Sequence, residues 1–290
     1  MWMNLHHFFY EQASHGQRNK LQEDSLDLRD IGDQMKLSQL SSEEKQVFGE
    51  GVAFYQQHII DQELLHSRNT FKWLQAQATD QAITDTALSA GFTRVLNRLR
   101  PFYQAHFWLR HQKENQALID RYIELIRKTE TLVIPKMEEL SGAEWQGRVR
   151  VDLTTYGNWA GAYSPDFDNI VVSSIDPLMN SSLFIEFVFH ESSHLLFPRK
   201  STFRMALFTQ SKAMEIKQPR NLWHAAMFYL TGLATQDALA EQGVQHQLIM
   251  ERKNVFLGYY QQAAFRSILM SYYHQEIGSE EMAEQLLNLE

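Results

Sequence analysis

The sequence predicts a predominantly helical α+β protein, on three observations. Apolar residues recur three and four apart over most of the chain, notably in 71–78, 82–99, 102–111 and 115–140, the spacing of an amphipathic helix. One short segment, about 149–173, changes period: Val149, Val151 and Leu153 alternate with Arg150, Asp152 and Thr154, and Ile170, Val171 and Val172 form a second β-branched run. The 13 Gly and 6 Pro in 290 residues are about half of average usage, too few turn-formers for an all-β sandwich or barrel.

Taken in order, residues 1–40 are polar and charge-mixed, with few large apolar groups in 17–34, and read as a loosely packed lead-in. At Ser41 a helix begins: Ser41 and Glu44 have capping-box spacing, followed by Val47, Val52, Phe54, Ile59 and Ile60. A helical N-terminal lobe, 41–145, follows, with breaks expected at Gly91, Pro101 and Pro135, and no internal repeat is visible. The strand-like segment opens after Gly147, turns at Asp168 and Asn169, and leaves 159–163 between its two runs as a short edge strand. Asp176-Pro177 then suits a helix start, and the pattern is helical to the end. A third region, 146–290, is thus expected to hold a small sheet packed on the helix that follows it, with C-terminal helices behind.

Composition narrows the function. A content of 44% hydrophobic and 12% aromatic residues excludes disorder as the main state. The formal charge of −8 works against phosphate-backbone binding, so no nucleic-acid partner is expected. The most apolar stretch, 183–189, is interrupted by Glu186 and meets His190, far short of a membrane span, so no membrane insertion is expected. Residues 1–14 lack a basic flank followed by an apolar run and do not read as a signal peptide. These features point to a soluble protein, the cytoplasm favoured, with a trimmed extracytoplasmic form equally compatible with the composition. No Cys means no disulfide, iron–sulfur cluster or thiol nucleophile; any metal is held by carboxylates and by some of the 12 His.

Those ligands have an address at His190-Glu191-Ser192-Ser193-His194, an HExxH pentad. On a helix, His190 and His194 are one turn apart and project from one face, where both imidazoles can hold a single Zn²⁺. Glu191 lies about 100° round the helix from His190, turned toward a metal-bound water rather than toward the metal, which makes it the general base. The apolar flanks, Leu183, Phe184, Phe187 and Val188 before and Leu195, Leu196 and Phe197 after, strengthen the reading, because a buried helix does not carry two His and a Glu without cause.

With this motif the chain resembles the zincin (HExxH) metallopeptidase clan, gluzincin-like. Through Asn158 to Tyr163, 170–174, 189–194 and 222–232 it looks like a little-characterised bacterial family of predicted zinc peptidases, over about residues 100–275. The resemblance implies a zincin-like fold, one Zn²⁺ per chain, peptide or protein substrates, an edge strand that holds substrate backbone, and N-terminal helices as the other wall of the cleft. Relatives often carry an acidic residue after the Thr-Gly; Leu233 stands there in this chain.

A catalytic zinc needs a third protein ligand. His224, 30 residues after His194 and set among Leu222, Trp223, Ala225 and Phe228, is the first choice. Glu215, Asp237, Glu241 and His246 are the alternatives, and the HExxHxxGxxH variant is excluded because no Gly and His follow at its spacing. Further candidates are Glu186, as an outer partner of His190; Tyr163, Tyr259 and Tyr260, as donors to an oxyanion; and Asn158 with the backbone at Ala160, for substrate binding by strand addition. His6, His7, His15, His58, His106, His111 and His274 have no ligand spacing and read as surface or capping residues. The expected activity is zinc-dependent peptide hydrolysis. Two rivals remain: a di-iron carboxylate helical protein using the ExxH at Glu63 and His66 together with Glu191 and His194, with Glu124 and Glu251 as further carboxylates, and a zincin-like binding protein without turnover.

Overall fold

In the computed structural model, which describes residues 1–18, 31–60, 67–79, 81, 83–157, 161–166 and 168–289, the Ser41 capping box forms as its spacing predicts. The Ser41 hydroxyl accepts from Glu44 N, and a Glu44 carboxylate oxygen accepts from Ser41 N at 2.8 Å, opening helix α3 (Ser42–Tyr55). Two helices precede it, α1 (Trp2–Arg18) and α2 (Ile31–Ser38), and α4 (Arg68–Ala78), α5 (Ala87–Tyr103) and α6 (Leu109–Ser141) follow. Gly91 and Pro101 lie inside α5, and Pro135 inside α6, so none of the three ends a helix. Val133 and Met137, which flank Pro135, are fully buried; packing there outweighs the hydrogen bond that a proline removes. After Pro101 the chain passes through a π-helical turn, Gln104–Trp108, on its way into α6.

The strands are β1 (Arg150–Thr154), β2 (Ala162–Asp166) and β3 (Asn169–Ser173), in sheet order β1-β3-β2. β1 runs parallel to β3, with Val151 opposite Ile170, and β2 antiparallel to it, with Ala162 opposite Val172. All five residues of β3 are buried, which is why the central strand reads as a continuous Ile-Val-Val run. The remaining helices are α7 (Leu183–Ser193), α8 (Thr202–Ala213), α9 (Leu222–Glu241), α10 (Ile249–Arg252), α11 (Leu257–Tyr260), α12 (Ala263–Tyr273) and α13 (Ser279–Leu287). The molecule is thus predominantly helical α+β with a three-stranded mixed sheet. Among the described residues, no helix is long and apolar enough to cross a membrane.

The chain divides into two compact units, residues 1–121 with 150–179, and 122–149 with 180–290. This departs from the expected division near 145: the sheet groups with the N-terminal helices, and the HExxH helix with the second half of α6 and the C-terminal helices.

In the first unit, α1 corrects the reading of residues 1–40 as a loosely packed lead-in. Leu5, Phe8 and Phe9 are fully buried among Tyr55, Ile59, Phe92, Leu96, Tyr103 and Phe107. The polar residues between them hid the stripe because they too are buried, each with a partner. His6 meets the Tyr55 hydroxyl at 3.0 Å and His7 the Tyr163 hydroxyl at 2.9 Å. Asp33, from the stretch with few large apolar groups, is fully buried and accepts from the Tyr156 hydroxyl at 2.6 Å, from His111 Nε2 at 3.0 Å and from Arg110. Burial alone would raise the Asp33 pKa, but the bonds from His111 and Tyr156 and the Arg110 charge outweigh it and bring it down. His6, His7 and His111 are therefore core residues, not surface or capping ones. His15 falls where no side chain is described.

In the second unit, every residue of α7 is buried, as are most of α9, and the two helices pack against each other. A helix apolar all round is a core helix, and these two form the frame of the site.

Candidate metal centre

His190 lies in the last turn of α7. His194 follows as its C-cap with φ −54° and ψ −27°, so the chain stays right-handed helical through the pentad and the four-residue spacing brings the rings to 5.1 Å between centroids. His224 comes from the first turn of α9. Its ring centroid is 5.3 Å from that of His190 and 4.9 Å from that of His194. One ligand atom from each of the three lies within 4.8 Å of the others.

His224 Nε2 and His190 Nε2 are 3.4 Å apart. A tetrahedral zinc with bonds of about 2.1 Å to nitrogen sets two ligand atoms about 3.4 Å apart, so this pair fits a shared ion without rearrangement. The electrostatics agree. Burial, with the charges His194 and His224 would carry, holds the His190 pKa well below the imidazole range. Burial, then His224 and Arg204, brings His194 down to about 3, and burial brings His224 down to about 4. All three are neutral at pH 7, the form that binds a cation. One feature departs from the usual ligand pattern: His190 Nδ1 is buried with no hydrogen-bond partner among the described residues.

Aromatic side chains fix the imidazoles. Phe228, one turn beyond His224, meets the His190 ring edge-on at 3.9 Å, and Trp223 stacks on His224 at 5.3 Å. Phe256 closes on His224 at 5.0 Å and holds φ +52°, a left-handed conformation costly for a residue with a Cβ. Helical spacing from His224 points to Phe228; nothing local points to Phe256. Glu191 is buried in α7 beside His190.

Among the described residues, none of the alternatives for third ligand joins this group. Glu215 is exposed at φ +57° just after α8. Asp237 accepts from the Tyr273 hydroxyl at 2.7 Å, and Glu241 is exposed at the end of α9. His246 binds Glu186, Nε2 to Oε2 at 2.6 Å, both side chains fully buried. The same Glu186 oxygen accepts from Ile249 N at 2.9 Å, and His246 Nδ1 meets the Ser182 hydroxyl at 2.9 Å. Glu186 therefore serves the loop before α10 and not His190, a pairing across 60 residues that no local spacing reveals.

Tyr163 belongs to the first unit, where it bonds His7. Tyr259 and Tyr260 lie in α11, directly after Phe256; burial raises both pKa values, and neither hydroxyl has a hydrogen-bond partner among the described residues. Asn158 and Ala160 lie outside the described residues, as do Glu63 and His66 of the di-iron scheme. Of that scheme's other members, Glu124 is exposed and paired with Arg127, and Glu251 is exposed. The chain matches no protein-family model, no curated protein and no solved structure.

Proposed function

We propose that this chain is a zinc-dependent hydrolase of the zincin kind, a peptidase acting on peptide or protein substrates. The observation that carries the reading is the convergence of His190, His194 and His224: three neutral imidazoles, the first buried and the other two half-buried, whose ligand atoms lie within 4.8 Å of one another. Zinc bound there would polarise a carbonyl and acidify a water molecule. Glu191 takes a proton from the attacking water and returns it to the leaving nitrogen. The packed aromatic rings keep the three imidazoles in place, so little ordering is left for the moment of binding.

The test is to titrate the chain with zinc and follow peptide hydrolysis in the loaded protein, alongside Glu191→Gln. The expected result is one zinc per chain in both, with hydrolysis reduced about 10²- to 10⁴-fold in the variant, the usual worth of a general base. A chain that binds no zinc, or a Glu191→Gln variant of full activity, overturns the reading. Zinc at full occupancy without hydrolysis favours the binding-protein alternative.

A further inference from the structure

Arg204 lies in the first turn of α8, partly buried, with its guanidinium carbon 4.0 Å from the centre of the Trp223 ring. The same indole stacks on His224 at 5.3 Å and meets His194 edge-on at 6.0 Å. An extended residue advances about 3.5 Å, so the guanidinium and the imidazole cluster lie within about three residues of each other.

A guanidinium carries five N–H donors and is rarely withdrawn from water without an anion. Among the described residues Arg204 has one hydrogen bond, from Nη1 to the Phe197 carbonyl at 3.4 Å, and no carboxylate partner. Its surroundings disfavour the charge: burial and the neighbouring Arg199 both press its pKa downward. Arg199, whose charge acts on Arg204, is exposed and so accessible to an incoming anion. The indole packs against the guanidinium while Nε and Nη2 have no hydrogen-bond partner among the described residues, and that pair of donors is the form that takes a carboxylate in bidentate fashion.

We propose that Arg204, assisted by Arg199, binds a carboxylate of the substrate, so that the preferred substrates carry a carboxylate within about three residues of the bond that is cut. A free C-terminus and an Asp or Glu side chain both supply this group. The proposal rests on the hydrolase reading for its substrate, but not for its test, since the guanidinium binds a carboxylate whether or not zinc is present.

The test measures binding by calorimetry in chelator, with three probes: N-acetyl-Phe-Leu as the free acid, its C-terminal amide, and N-acetyl-Phe-Glu amide. The expected result is that the free acid binds at least about 10-fold tighter than its amide, as a charge-assisted bidentate contact provides. Arg204→Gln removes that preference while still binding one zinc, Arg204→Lys keeps part of it, and Arg199→Gln lowers it a few-fold. Tighter binding of the Glu amide than of the Leu amide assigns the site to side-chain carboxylates as well; equal binding of those two restricts it to a free C-terminus. Equal binding of acid and amide to the unaltered chain, or no binding of the acid, overturns the inference, as does an Arg204→Gln variant that keeps the preference. Should Arg204→Gln lose zinc by misfolding, the Lys and Arg199 variants decide: full preference in both overturns it. Failure of zinc binding in the unaltered chain overturns the hydrolase reading and leaves this measurement intact, whereas hydrolysis without any acid preference overturns this inference alone.

Discussion

His224 is the residue on which the metal reading turns, because His190 and His194 alone would leave an ion with two protein ligands. Loss of an outer partner of a metal ligand already costs about 10- to 100-fold in affinity, so His224→Ala should weaken zinc binding by at least the upper end of that range, read by competition with a chromogenic chelator. Unchanged affinity would assign the third position elsewhere. The same residue sets the pH dependence. Protons compete for a ligand only near its own pKa, and His224 and His194 are pressed down to about 4 and about 3. Zinc affinity should therefore stay flat as pH falls from 8 to 5 and drop only below that, where an unperturbed site would begin to fail near 6.5. At this scale the sequence was legible wherever the chemistry is local. HExxH is a spacing within one helix turn, and His224, singled out by its apolar neighbours, does come to lie beside that pair. Arg204 was not, since its interest lies in the partner it lacks, which only packing reveals.

At the scale of elements, the site depends on α7 and α9 staying in register, and Gly232 of α9 is a point of close approach to Glu186 of α7. A Cβ at 232 would lie 2.9 Å from Glu186 Oε1 and 2.9 Å from Leu248 Cγ, both themselves packed. Glu186 cannot yield cheaply: its other oxygen is held by His246 and Ile249 N, and burial nevertheless pushes its pKa up. Gly232→Ala should therefore cost about 1–3 kcal/mol as overpacking, seen as a lower midpoint in thermal or urea unfolding, and should also weaken zinc binding because His224 rides on the same helix. A variant as stable as the parent would show that α9 can shift without strain. Elements with a clean period were legible: the capped start of α3, the alternation of β1 and the Ile-Val-Val of β3. The helix α1 was missed because its polar positions, His6 and His7 among them, are satisfied by tyrosines roughly 50 and 156 residues away. The sheet was found but grouped wrongly, since chain order places it next to α7 while its packing places it with the N-terminal helices.

For the molecule as a whole, folding without metal holds three imidazoles neutral in one unit, and this makes acid its weak direction. In the unfolded chain each titrates near 6.5; in the folded chain His194 and His224 titrate at about 3 and about 4, and His190 well below its ordinary value. Above pH 6.5 the groups are neutral in both states and cost nothing. Between 6.5 and about 4 the unfolded chain binds protons that the folded chain refuses, so stability must fall as pH falls. The loss is at most about 1.4 kcal/mol per pH unit for each group. Asp33 acts in a different window: its lowered pKa gives stability that is present above about 3.8 and lost only further into acid. Urea unfolding of the metal-free protein at pH 7, 6, 5 and 4 should thus show a steady decline, and replacing all three His by Ala should flatten it even if the starting stability changes. An equally steep decline in that triple variant would locate the acid sensitivity in other groups. Zinc at 100 times its Kd should add about 2.7 kcal/mol at pH 7 by mass action and move the onset of the decline to lower pH, because the metal holds the same nitrogens against protonation. Hydrogen exchange should report that gain first in α7, up to its C-cap His194, and in α9, which carry the three candidate ligands.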